Sequence, residues 1–231
     1  MTKLQDLHSK SLKVIFRTSK SDTHFLVQLL LLVVLIAFPF FSSLLPFKDA
    51  FNGLLAISFI LYGILLAENP RFLFLLSGAC AILIILLHFS VINFTHESQL
   101  AKLYFLEAKL IIIIFYMVLL GLHLLRDTLN EAVSMRLLYI SMQNYLLIGL
   151  IFNYLFQLVQ LLDPGAFNFP ASASFNYSYL SFIILTSVGL GDMLPLSNAA
   201  KSLVVLEATA GQFYLTFFVA LIVGKYLSVK S

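Results

Sequence analysis

Tryptophan is absent from this chain, cysteine occurs once, and charged residues make up only 11% of its 231 positions. Each scarcity excludes something. The lone cysteine, Cys80, rules out an intrachain disulfide. So little charge rules out an ordinary soluble domain, where about a quarter of residues are charged. The histidines, His8, His24, His88, His96 and His123, are scattered without the short spacings of a metal site. There is no nucleophile paired with a base, no glycine loop to cradle a phosphate and no basic cluster for nucleic acid. The expectation is a non-enzyme with no cofactor and no nucleic-acid partner.

What is present is apolar. Hydrophobic residues reach 61% and the mean hydropathy is +0.99, values that belong to a chain embedded in lipid. Six stretches are long enough to span or nearly span a bilayer: Phe25 to Leu45, Ala50 to Ala67, Phe72 to Ile92, Leu103 to Leu125, Leu137 to Leu162 and Ser202 to Leu227. Between the fifth and sixth, Asn176 to Leu185 is apolar but only about ten residues long, too short to cross, and it reads as a re-entrant helix. The fold class expected is an all-α membrane protein of six transmembrane helices, with a re-entrant helix and a loop between helices five and six.

Basic residues orient the chain. Lys3, Lys10, Lys13, Arg17 and Lys20 precede the first span, Arg71 follows the second, Arg126 and Arg136 follow the fourth, and Lys225 and Lys230 close the tail. The other side shows Lys48, Lys102 and Lys201. By the positive-inside rule both termini are cytoplasmic and residues 164–200 face outward, in a multi-pass protein of the cell (plasma or inner) membrane. The domain division expected is 1–24, a cytoplasmic segment whose Leu4, Leu7, Ser11 and Ile15 share one helical face and suggest an amphipathic helix on the inner leaflet, with a solvated tail as the alternative; 25–126, a four-helix membrane domain; and 137–231, a membrane domain of the last two spans and the short helix between them.

The stretch Thr186-Ser187-Val188-Gly189-Leu190-Gly191-Asp192, with Pro195 three residues on, is the most specific pattern in the chain. Glycine reaches positive φ without steric cost, so Gly189 and Gly191 let successive carbonyls of a strand-like run turn to one side. From about Asn176 to Gly224 the chain resembles the pore domain of the potassium channel superfamily, in particular the bacterial two-helix ion-channel family, here with four additional N-terminal helices. The resemblance covers about a fifth of the sequence and rests on the pore helix, the filter motif, Pro195 and a glycine, Gly211, at the family's gating hinge.

The resemblance implies potassium bound by the backbone carbonyls of Ser187, Val188, Gly189 and Leu190, with the Ser187 hydroxyl adding oxygens at the inner mouth. It departs from the family at Leu190, where an aromatic is usual, and at Tyr179 and Leu180, where paired tryptophans are common. Leu190 and Leu180 are expected to pack together in place of a hydrogen-bonded cuff, and Tyr179 to bond Asp192. Glu207, an ionisable group inside a span, is expected to brace the pore helix from behind, or else to lie at the wet outer interface. Gly211 serves as hinge or as close-packing residue. Gln212, Leu215, Val219 and Val223 form the stripe that the resemblance turns toward the conduction path; ordinary helix packing is the alternative.

The fourth span has Lys109 near one end and Arg126 near the other, with no charge from Ile111 to Leu120, so it lacks the ladder of a voltage sensor. The function expected is therefore a homotetrameric, potassium-selective channel, passive and not steeply voltage-gated, in contact with the lipid bilayer and open to regulation by another subunit. The alternatives are a non-selective cation channel and a non-conducting sensor or accessory subunit of the same fold. A transporter would need paired broken helices or an internal repeat, and neither is present.

Overall fold

The computed structural model describes residues 20–42, 79–80, 82–83, 86–87, 99–168 and 176–228. The expected N-terminal amphipathic segment, the second span and most of the third lie outside the described residues.

Helix α1 runs Lys20–Ser42, α2 Gln99–Asn130 and α3 Met135–Leu162. A short strand β1 (Phe167–Asn168), a nine-residue helix α4 (Tyr177–Leu185), a strand β2 (Leu194–Pro195) and the helix α5 (Asn198–Ser228) follow. Among the described residues, three helices are long and apolar enough to cross a membrane, over Leu103–Asn130, Met135–Leu162 and Asn198–Ser228. They coincide with the fourth, fifth and sixth stretches read from hydropathy.

Local chemistry explains where these helices begin and end. Ser134 caps α3, its hydroxyl accepting from the Leu137 amide at 3.2 Å. At the other end Asp163 is followed by Pro164, which cannot continue a helix. Asn176 caps α4 by accepting from the Tyr179 amide at 3.0 Å, and Ser197 accepts from the Ala200 amide at the start of α5 at 3.2 Å.

Helix α3 is the hub. One apolar cluster joins it to α1 and α2 through Leu32, Met117, Ile140 and Leu147, with Cys80 also buried there. A second, on the far half of α3, gathers Phe156, Phe167, Leu180, Ile184, Met193 and Ala200 around α4 and the two strands. In lipid, apolar contact between helices adds little beyond close packing, because hydrocarbon solvates leucine as well as another helix does. Polar cross-links therefore carry much of the specificity. Gln143 donates to the Phe25 carbonyl at 2.5 Å, tying α3 to α1, and Tyr214 donates to the Ser141 carbonyl at 2.8 Å, tying α5 to α3. Such bonds contribute about 0.6 to 2 kcal/mol each between membrane helices.

The strands pair antiparallel, Phe167 opposite Pro195 and Asn168 opposite Leu194. The Leu196 backbone N–H donates a hydrogen bond to the Ala166 carbonyl at 2.8 Å. Gln160 clamps the turn before β1: its amide nitrogen donates to the Pro164 carbonyl at 2.6 Å and its oxygen accepts from the Phe167 amide at 3.1 Å. The chain leaving the glycine-rich loop is thus fastened to the end of α3.

Candidate functional site

Helix α4 delivers the chain into the Thr186 to Asp192 loop. Thr186 ends the helix with its amide and hydroxyl both donating to the Phe182 carbonyl, at 3.1 and 2.6 Å. The next turn is tight. Val188 and Gly189 both donate to the Ile183 carbonyl, at 2.9 and 3.0 Å. Positive φ then falls on every other residue: Ser187 at 58°, Gly189 at 52° and Gly191 at 74°. Glycine adopts this without cost, whereas Ser187 is a non-glycine residue held there by its surroundings. Its hydroxyl accepts from the Gln212 amide nitrogen at 2.7 Å, which links the loop to α5.

Asp192 closes the loop. The Tyr179 hydroxyl donates to Asp192 Oδ2 at 2.9 Å, bridging the first turn of α4 and the loop's far end. That bond, with smaller contributions from burial and the nearby carboxylate, pushes the Tyr179 phenol above its ordinary value.

Leu180 and Leu190, expected to pack together, have different surroundings within one chain. Leu180 is buried in the cluster around Phe156 and Phe167, while Leu190 is 65% exposed and outside that cluster. The apolar residue of the loop region that packs there is Met193. Leu190 lies between two residues of positive φ, Gly189 and Gly191.

Behind the loop, α4 is held from two sides. From α3, the Tyr145 hydroxyl donates to the Leu185 carbonyl at 3.2 Å and Asn153 accepts from the Ser178 hydroxyl at 3.2 Å. Gly149 lets the helices close up, since a Cβ there would meet the Phe182 ring at 2.7 Å. From α5, Glu207 is fully buried and hydrogen-bonded to Ser181, which also bonds the Gly149 carbonyl. One turn later a Cβ on Gly211 would stand 2.6 Å from the Leu185 carbonyl oxygen, so α5 crosses α4 in backbone contact. This geometry is that of a close-packing residue; α5 runs through Gly211 as continuous helix.

Gln212, Leu215, Val219 and Val223 lie exposed along α5. So do Val205, Leu206 and Phe213, and exposure within one chain does not single out the stripe. At the end of α5 the Lys225 ammonium donates to the carbonyls of Thr128 at 3.1 Å, Leu129 at 2.9 Å and Glu131, where α2 finishes. Tyr145, Gly149, Ser181, Met193 and Lys225 are the contributors that sequence reasoning missed. The signal available for Tyr145 and Asn153 was a polar side chain inside an apolar span.

Residues 141–228 match the family model described as "Ion channel". The match covers less than half of the chain and takes in α3 from its second turn, the whole α4 loop and all of α5. This segment is similar to an ion-channel domain, and with the apolar helices it points to a multi-pass membrane protein. No curated protein and no solved structure gives a significant match.

Proposed function

We propose that the chain forms a homotetrameric, potassium-selective channel, conducting passively and without steep voltage dependence. The observation that carries this reading is the alternation of φ at Ser187, Gly189 and Gly191 directly after a short apolar helix. Alternating handedness turns successive peptide groups the same way, amides to one side and carbonyls to the other. A row of carbonyls on one strand becomes a set of rings when copies surround an axis, and such rings replace the hydration shell of potassium. The ligands are the carbonyls of Ser187, Val188, Gly189 and Leu190, with Thr186 and Asp192 at the two ends.

Helix α5 supports the assembly. It is apolar along its length yet buries only Ala200, Glu207 and Gly211 within its own chain. The rest faces lipid, a central pathway or neighbouring copies, and one filter strand per chain requires four chains. In this reading α4 is re-entrant, residues 137–231 are the pore domain and 25–126 a membrane domain without a sensor ladder. Leu215, Val219 and Val223 line the inner pathway, while Tyr179, Leu180 and Glu207 support the filter. Both termini are cytoplasmic, in the plasma or inner membrane. Potassium and sodium flux into liposomes from the purified protein tests this: potassium uptake blocked by barium is expected, and equal uptake of the two ions rejects selectivity.

A further inference from the structure

The Ser181 hydroxyl is fully buried between two oxygens. Its Oγ lies 2.6 Å from the carbonyl oxygen of Gly149 and also in hydrogen-bond contact with Glu207 Oε1. A hydroxyl has a single proton, and a backbone carbonyl can only accept. Ser181 must therefore donate to Gly149. With that proton committed, the contact to Glu207 needs a proton from the Glu207 side, and only the acid form has one.

The surroundings agree. Glu207 is 0% exposed, and its Oε2 has no hydrogen-bond partner. Among the described residues no lysine, arginine or histidine pairs with it. The two phenols on that side, Tyr145 and Tyr214, direct their protons to the carbonyls of Leu185 and Ser141. An ionised carboxylate would stand there with neither a cation nor a second donor, and a buried charge without partners is strongly disfavoured.

We propose that Glu207 is a positioning residue that works as an uncharged carboxylic acid, donating to Ser181, which donates to Gly149. This directed relay ties α5 to α4 and α4 to α3 directly behind the loop of Ser187 to Gly191. It adds to the pore reading a proton that belongs to the resting structure, and it rests on that reading only for its effect on conduction.

Two measurements test it. Infrared difference spectra of the full chain in lipid at neutral pH, wild type minus Glu207→Gln, should show loss of the carbonyl stretch of a protonated carboxylic acid. Loss of a carboxylate band in its place overturns the proposal, whether or not the protein conducts. In flux or current recordings, Glu207→Gln should keep wild-type selectivity and inactivation, because a carboxamide also donates to Ser181. Glu207→Ala and Ser181→Ala should each inactivate about tenfold faster, the loss of one buried charge-free link. Inactivation in Glu207→Gln as fast as in Glu207→Ala would mean that the relay needs a charge, and would equally overturn it.

Discussion

Tyr179 and Asp192 span the loop at its C-terminal end, and their bond is the contact there that a single atom can remove. Tyr179→Phe deletes the donor and leaves the ring, so α4 keeps its packing and the loop loses its anchor. The expected result is faster inactivation or lower potassium selectivity with tetramer assembly unchanged, read by single-channel recording beside size-exclusion chromatography. Wild-type behaviour in the Phe variant contradicts it. The same bond raises the Tyr179 phenol above its ordinary value of 10.0. Its contribution is therefore fully present below about pH 10 and is lost as pH rises through the elevated value. Inactivation should quicken in that alkaline range in the wild type and stay flat in Tyr179→Phe. Gly211 makes the opposite kind of contact, one in which any addition is a collision. A Cβ 2.6 Å from the rigid Leu185 carbonyl must push α5 off α4. Gly211→Ala should cost about 1 to 3 kcal/mol as overpacking does, seen as a lower melting temperature of the detergent-solubilised protein.

Elements show which features could be read in advance. The short helix α4 and the long α3 and α5 were legible because length and apolarity alone distinguish a helix long enough to span from one that is too short, and Gly189 and Gly191 mark positive φ by themselves. Ser187 was legible as an oxygen donor but not as a left-handed residue, since that conformation is imposed by Gln212 and the turn onto Ile183. Packing partners were hidden for the same reason: Leu180 meets Phe156 and Phe167 through the register of α3 against β1, which no local pattern encodes. Lys225 is the clearest case. As sequence it was one basic residue in a cytoplasmic tail, yet it caps the carbonyl end of α2, where a cation is favoured by the helix dipole and three carbonyls accept its three protons. The C-terminal end of α5 is thereby joined to the end of α2. Lys225→Met should release it; spin labels at Leu129 and Leu227 would then report a broadened distance distribution, whereas an unchanged narrow one would show that the tie holds nothing.

At the scale of the molecule, the described helices before α3, α1 and α2, pack against it without offering the field a row of charges. Helix α2 carries Lys109 and Arg126 with an uncharged stretch between them, so open probability should change little across physiological voltages. An equivalent gating charge of several elementary charges would contradict this. The central claim is that the loop from Ser187 to Gly191, repeated around an axis, strips and replaces the hydration shell of potassium. Ion uptake into liposomes holding only the purified full chain tests it most directly. The account predicts potassium uptake far above sodium uptake, abolished by barium; equal uptake of both ions, or none of either from folded protein, would contradict it.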